Sequence, residues 1–300
     1  MEKQRNKKGS LPIGVRIIGI IIAVLAAAYG LYAGMGNSTG NFDGEMQIFA
    51  LDVGQGDSFF IISPNGKTML IDSGESSNSK QIEQFIREKG VRQLDVVIGS
   101  HTHSDHVGSM PYLLDAFDVG KYVMSEAGLE TRIQKRINAV LEEKDIPCSY
   151  VWAGDVIDWD SDCKVTVLSP VPEFDEYSKT DWNEWSLIIR AEYANHSMIF
   201  TGDATVRSEQ AAMLNNEKYL FDADVLKVSH HGSTTSSSLG FLEAVSPEYA
   251  IISVGKGNSY GHPDYDTIQK LKQVNAEIYR TDELGTINIV FGANDIKITY

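Results

Sequence analysis

The sequence predicts an α/β protein in which two sheets pack face to face with helices on the outside. Three observations predict it. Short apolar runs rich in Val, Ile and Phe alternate with amphipathic helical stretches. The alternation occurs twice, over residues 46–144 and again over residues 164–300, without a fixed-period repeat. With 300 residues, 42% of them hydrophobic and 22% charged, the chain has ample material for a core. Sheets covered by helices on their free faces are a layer arrangement that buries it.

The first segment is of another kind. Lys3, Arg5, Lys7, Lys8 and Arg16 precede residues 17–35, a run of 19 without charge, near the ~20 a membrane-spanning helix needs. Basic residues ahead of the run place residues 1–16 in the cytoplasm and the remainder outside, single-pass in the cell membrane. The run exceeds a signal-peptide apolar region, which favours an uncleaved anchor. Ala26-Ala27-Ala28 keeps cleavage and secretion open as the alternative. Residues 36–45 are rich in Gly, Asn and Ser and read as a flexible linker to a domain at 46–300.

Within that domain, strands are expected at 46–51, 58–62 and 69–71, punctuated by Gly54, Gly56 and Pro64-Asn65-Gly66. Residues 80–89 form a helix with Ile82, Phe85 and Ile86 on one face, and Gly90 stops it. A buried-type strand at 95–99 follows, then a helix at 109–117. The helix at 132–144 carries the stripe Ile133, Ile137, Val140 and Leu141. In the second half, strands at 164–168, 187–193 and 198–201 lead to Gly202-Asp203, with a helix at 206–214. A strand at 225–228 leads to Ser229-His230-His231-Gly232. Another at 250–254 precedes Tyr260-Gly261-His262-Pro263, a helix at 265–274 and two last strands.

The chemistry is concentrated in Ser100-His101-Thr102-His103-Ser104-Asp105-His106, with three imidazoles and a carboxylate in six consecutive residues. Neutral imidazole and carboxylate oxygen suit a borderline divalent metal. A strand ending in a tight loop aims alternate side chains at one point, so His101 and His103 would share one ion, with Asp105 and His106 facing a second. Asp203, His230, His231 and His262 follow strands in the same way, where functional residues concentrate. Asp203 is placed to bridge two ions. His196 lies in an apparent hairpin turn and reads as solvent-exposed and inert. The ions are zinc or manganese, since this donor mix admits both.

Such a pair lowers the pKa of a bridging water and supplies hydroxide to a phosphorus or carbonyl centre. Asp105, His230 and His262 are the candidate catalytic groups, the two histidines contacting phosphoryl oxygens or protonating the leaving group. Asp52 and Asp72 are candidates for orienting ligands from behind, with turn capping as their alternative role. Gly54-Gln55-Gly56 lacks the Lys-Ser/Thr of a phosphate-cradling loop and is read as a tight turn beside the metals.

Charge restricts the substrate. Residues 1–40 carry +4, leaving −19 on residues 41–300 of a chain whose total is −15. Such a surface repels polyanions, so a nucleic acid would have to be held locally. Trp182 and Trp185 flank Asn183, and their alternatives are packing or walling the site mouth, stacked on a base or enclosing a quaternary ammonium. Cys148 and Cys163 are either one disulfide across a strand-loop-strand or two buried thiols.

His101-x-His103-x-Asp105-His106, with Gly202-Asp203 and His231-Gly232 downstream, resembles the metallo-β-lactamase superfamily. Finer matches are Leu51-Asp52-Val53-Gly54-Gln55-Gly56-Asp57-Ser58, Thr201-Gly202-Asp203-Ala204, Leu226-Lys227-Val228-Ser229-His230-His231-Gly232-Ser233, Tyr260-Gly261-His262-Pro263 and Arg280-Thr281-Asp282. They resemble the hydrolase domain of ComEC-type DNA-uptake proteins over about residues 46–300. The resemblance implies an αββα sandwich with a dinuclear site at one edge. It assigns His101, His103 and Asp203 to one ion, and Asp105, His106, His231 and bridging Asp203 to the other. The superfamily's further histidine before the Gly-Asp pair is replaced here by Asn183-Glu184-Trp185-Ser186, which puts Asn183 behind the ligands and leaves open positions on the first ion. Phosphodiester cleavage is the activity expected, on nucleic acid or on a cell-surface choline-phosphate headgroup. A lactonase-like hydrolase and a non-catalytic, metal-stabilised binding module are the alternatives. No stretch reads as a site for an obligate protein partner, and a role in transporting DNA does not follow.

Overall fold

The computed structural model describes residues 44–172 and 180–300. The apolar run at 17–35 lies outside them, and among the described residues no helix is long and apolar enough to cross a membrane.

The strands are β1 (Met46–Ala50), β2 (Phe59–Ile62), β3 (Thr68–Ile71), β4 (Val96–Gly99), β5 (Tyr122–Met124), β6 (Cys148–Tyr150), β7 (Cys163–Ser169), β8 (Ile188–Tyr193), β9 (His196–Phe200), β10 (Val225–Lys227), β11 (Tyr249–Ile252), β12 (Glu277–Arg280), β13 (Ile287–Phe291) and β14 (Ile296–Thr299). Gln93–Leu94 and Asp118–Val119 form a separate two-stranded pair. The helices are α1 (Ser79–Glu88), α2 (Ser104–Val107), α3 (Met110–Ala116), α4 (Arg132–Glu143), α5 (Val206–Asn215), α6 (Leu239–Val245), α7 (Tyr265–Gln273) and α8 (Thr281–Leu284).

One sheet has eight strands in the order β14-β13-β1-β2-β3-β4-β5-β6, and the other six in the order β12-β11-β10-β9-β8-β7. Pairing is antiparallel from β14 through β3 and parallel from β3 to β6. The second sheet repeats this change, antiparallel from β7 to β9 and parallel from β9 to β12. Parallel neighbours need a crossover, and α1, α3 and α4 supply those of the first sheet, α5, α6 and α7 those of the second.

Strand alternation assigns each side chain to a layer. Met46, Ile48, Phe59, Ile61, Ile71 and Ile98 from one sheet share a buried cluster with Val167, Ile189, Met198, Phe200 and Ile251 from the other. The intervening Phe49, Phe60, Leu70 and Val97 turn outward onto Ile82, Ile86, Leu113 and Ile137 of the helices. Leu168, Ile188, Ile199 and Leu226 meet Phe241, Leu242 and Leu271 on the far side. The layers are helix, sheet, sheet, helix, and each fully buried Leu, Ile or Phe contributes about 1.5–3 kcal/mol.

Two expectations are corrected. Cys148 and Cys163 are both free, Cys148 exposed and Cys163 half-buried. They belong to β6 and β7, edge strands of different sheets, so they do not face each other across one turn. His196 is not a turn residue. The turn is Ala194-Asn195, and His196 opens β9 with its ring 5.6 Å from Phe291 and half-buried.

Candidate metal centre

The parallel strands deliver the site. β4, β9 and β10 end together at one edge of the sandwich, where ligands bind in open α/β sheets, and the residues that follow them converge there.

The loop after β4 runs straight into the single turn of α2. His106 and Asp105 lie on that turn, and His101 and His103 lie before it. His101 is buried, and its Nε2 is 3.0 Å from His103 Nδ1. Burial, reinforced by the nearby His106, holds the His101 imidazole well below its ordinary value and therefore neutral. His106 is fully buried with Nδ1 2.8 Å from Asp72 Oδ2, so that nitrogen donates to the carboxylate and Nε2, once the ring is neutral, presents its lone pair inward. Asp72 is fixed in turn by the Ser100 backbone N–H (2.8 Å) and hydroxyl (2.7 Å).

Asp203 follows β9 through Gly202, whose φ of +50° and whose contact with Ser100 admit no side chain, since a Cβ would lie 2.8 Å from Ser100 Oγ. His230 and His231 follow β10 on two consecutive left-handed residues, φ 51° and 53°. Each costs about 1–2 kcal/mol, and the turn is held by His230 N–H to Gly202 O (3.1 Å) and Ser229 Oγ to Ala204 O (2.6 Å). The turn sends the two rings different ways. His231 points inward, buried, its Nδ1 2.9 Å from Ser253 O. His230 stays half-exposed at the mouth, its Nδ1 3.1 Å from Thr235 Oγ1.

Asp105, His106, Asp203 and His231 therefore offer one ligand atom each within 4.8 Å of one another. His106 Nε2 is 3.1 Å and His231 Nε2 3.7 Å from Asp203 Oδ1, yet none of these three buried atoms makes a hydrogen bond. Two ring nitrogens and a carboxylate oxygen, sequestered from water without hydrogen-bond partners, fit a cation between them once the rings are deprotonated. His101 and His103 stand beside this group, the His101 and His106 ring centres 4.2 Å apart.

Metal has to displace protons here. Carboxylates outweigh burial at both inner histidines: Asp203, Asp72 and Asp57 hold His106 well above its ordinary value, and Asp203, Asp105 and Asp57 push His231 up to about 9. His231 is therefore protonated at pH 7.5 without metal, and His106 is shifted the same way, while ligation needs both neutral. Zinc binding at pH 7.5 is therefore expected to release at least the His231 proton. Affinity should fall about tenfold per pH unit as pH drops below the His231 value of about 9. Calorimetric titration in buffers of different ionisation enthalpy reads the proton count, and a count of zero would overturn the assignment.

Two members of the site are invisible to motif spacing. Asp57, 1% exposed, lies 3.6 Å from His106 Nδ1 and 3.4 Å from His231 Nδ1. It pairs with Lys227, also 1% exposed, whose ammonium donates to Gly202 O (2.6 Å) and sits 3.8 Å from Asp203 Oδ1. A lysine inside the apolar strand Val225-Leu226-Lys227 was the available signal, because a buried charge requires an opposite one. Asp57 reaches the histidines because Gly56, at φ 136°, lies against Asp105, where a Cβ would meet the Asp105 carbonyl at 2.2 Å. Asp52, by contrast, caps the turn, its carboxylate accepting the Gly54 N–H at 3.1 Å.

A cavity of 310 Å³ opens over the cluster, lined by His103, Asp105, Asp203, His231, Asn183 and His230, with His262, Tyr260 and Gln55 at the rim. His262 stacks on Tyr260 (5.9 Å, 15°) and lies 3.3 Å from Asp264. Asn183 Oδ1 is buried and unbonded. Of the tryptophans, Trp159 is in the core, Trp185 packs edge-on to Trp152 at 6.2 Å, and Trp182 lines a second, adjoining cavity.

The sequence profile of the metallo-beta-lactamase superfamily matches residues 51–256, more than half of the chain. The chain belongs to that superfamily. Its relatives include ComE operon protein 3 of Bacillus subtilis, 34% identical over 260 residues, covering 81% of this chain and 33% of that protein. Competence protein ComA of Neisseria gonorrhoeae is 28% identical, covering 85% and 34%. The chain thus spans about a third of the length of these relatives, and the resemblance to ComEC-type proteins is to one part of them. Among solved structures the fold is shared with the metallo-beta-lactamase fold protein YhfI of Bacillus subtilis (TM-score 0.53, 14% identity, 79% of this chain and 95% of that one). It is shared as well with Igni18, a metallo hydrolase of Ignicoccus hospitalis (TM-score 0.56, 14% identity, 81% and 98%). The helix-sheet-sheet-helix layering is the superfamily's metallo-hydrolase fold.

Proposed function

We propose that the protein is a metal-dependent phosphodiesterase, anchored in the cell membrane through residues 17–35 with the hydrolase domain outside, and acting on nucleic acid. The observation that carries the reading is the set of unbonded inward atoms on His106, His231 and Asp203 beneath an open cavity. The relatives' competence names support a nucleic-acid substrate. Two ions, zinc or manganese, are the proposed occupants. His101, His103 and Asp203 would hold one, and Asp105, His106, His231 and Asp203 the other. Bound there, they supply Lewis acidity toward a phosphoryl oxygen and acidify a water.

The chain's own groups do the remaining work. Asp72 and the Ser253 carbonyl hold the tautomers of His106 and His231. The contact with His231 and the charge of His106 outweigh burial at Asp105 and keep its carboxyl ionised far below the usual range. Burial keeps His230 below its ordinary value, neutral at pH 7, with an N–H to give to a phosphoryl oxygen at the mouth. His262 and Asn183 line the same wall and can orient the diester or protonate its leaving oxygen.

The test is hydrolysis of bis-p-nitrophenyl phosphate with zinc or manganese added, comparing wild type and His103→Ala with metal content measured alongside. About two metals per chain and diester cleavage that falls at least about 100-fold in the variant are expected. Two bound metals without diester cleavage would sink the reaction class and turn attention to lactones or a binding role.

A further inference from the structure

The metal cavity has a neighbour. His103 and Ser104 form the shared wall between it and a larger cavity of 590 Å³, lined on its far side by Trp182, Arg132 and Arg136. Arg132 and Arg136 are four residues apart on α4, so their side chains leave the same helix face. Both are exposed, and neither guanidinium makes an ion pair or hydrogen bond with a described residue. The Glu75 carboxylate also lines the cavity and is engaged by the Ser104 hydroxyl at 2.8 Å. The two guanidiniums place local positive charge on a domain carrying −19, and they line a cavity that shares a wall with the place where a phosphodiester would be cut. Trp182, half-buried, offers a ring in the same space.

We propose that this second cavity is a nucleotide subsite, in which Arg132 and Arg136 bind backbone phosphate and Trp182 stacks the base next to the scissile bond. The inference rests on the phosphodiesterase reading of the metal centre and narrows it. Guanidinium forks match phosphate oxygens, and an indole face accepts any base. The same two cations repel a quaternary ammonium, so a choline headgroup, which Trp182 alone would suit, is excluded from the cavity by like charge. A local positive pair within an acidic surface also resolves how such a domain holds a polyanion: it binds a short single-stranded stretch at the site and repels bulk nucleic acid elsewhere. Arg132, Arg136 and Trp182 are specificity residues, acting through substrate binding.

The experiment is binding of a fluorescent oligothymidylate by anisotropy across a salt series, with wild-type protein, Arg132→Ala/Arg136→Ala, Trp182→Ala and the surface control Arg92→Ala. Alanine favours the helix at both arginine positions, so α4 keeps its structure. The arginine pair variant should weaken binding and lower the magnitude of the log Kd against log salt slope by about 1.4, since each phosphate contact on a single strand contributes about 0.7. Trp182→Ala should weaken binding about tenfold with the slope retained. Arg92→Ala should match wild type. Relative to wild type, hydrolysis of the oligonucleotide by the arginine variant should show KM raised and kcat held. Equal binding by wild type and the arginine variant, or a competing phosphocholine that displaces the oligonucleotide, would overturn the subsite. Failure of wild type to cleave bis-p-nitrophenyl phosphate would instead strike the phosphodiesterase reading, because the anisotropy readout needs no turnover.

Discussion

Asp203→Asn is expected to lose at least about 10³-fold in turnover of a phosphodiester and to bind metal far more weakly, while staying folded. The figure exceeds the 10–100-fold typical of removing a group that only orients a ligand. Asp203 is the hub of the cluster: its carboxylate lies 3.1 Å from His106 Nε2, 3.6 Å from His230 Nε2, 3.7 Å from His231 Nε2 and 3.8 Å from Lys227 Nζ. Asparagine keeps the shape and removes the charge. The neighbouring histidines, no longer held up by that carboxylate, release their protons more readily, yet the anionic oxygen between them is gone. Metal analysis together with the bis-p-nitrophenyl phosphate assay checks this, and circular dichroism confirms the fold. A variant that retains full metal and full turnover would remove Asp203 from the ligand set.

The second large effect is on stability. Lys227→Met should destabilise the metal-depleted protein by about 3–5 kcal/mol, the cost of leaving one partner of a buried ion pair alone. Asp57 and Lys227 are each 1% exposed, and the ammonium also satisfies the Gly202 carbonyl that leads into Asp203. Against a typical total of about 5–15 kcal/mol this is a large share. Adding Asp57→Asn in the same chain should recover part of the loss, because the orphaned charge disappears. Urea unfolding measures both variants, with metal removed so that ligand binding does not mask the difference. A loss below about 1 kcal/mol in the single variant would mean that water or another group replaces the ammonium.

Much of this molecule is legible along the chain because its strands are short, apolar and bounded by glycine, proline or aspartate. The strands and helices predicted with bounds fall within a few residues of those observed, from Met46–Ala50 to Tyr265–Gln273, but three strands and not two follow α7, and β5 and α6 carry too weak a local pattern to be foreseen. Three histidines and an aspartate in six residues cannot be spread far apart, so their gathering in one loop after β4 follows from local geometry, although only Asp105 and His106 of that loop join Asp203 and His231 in the cluster. Asp203 and His231 could be placed at strand ends, and strand ends of parallel sheets gather at one edge.

What the chain alone left open depends on contacts distant in sequence. The choice between His230 and His231 as the inward ring is made by two left-handed residues, whose cost is met by a bond to Gly202 nearly thirty positions earlier. Asp57, and not Asp52, reaches the histidines because Gly56 packs on the Asp105 backbone. Cys148 and Cys163 are near in sequence but end in different sheets. Arg132 and Arg136 look like ordinary solvated helix residues until the fold sets α4 beside Trp182 and His103. Periodicity and motif spacing record what neighbouring residues do together, so they determined most of the elements, the layers and the histidine loop. Burial, charge pairing and the direction of a side chain depend on what the rest of the chain brings alongside, and those only the tertiary structure decided.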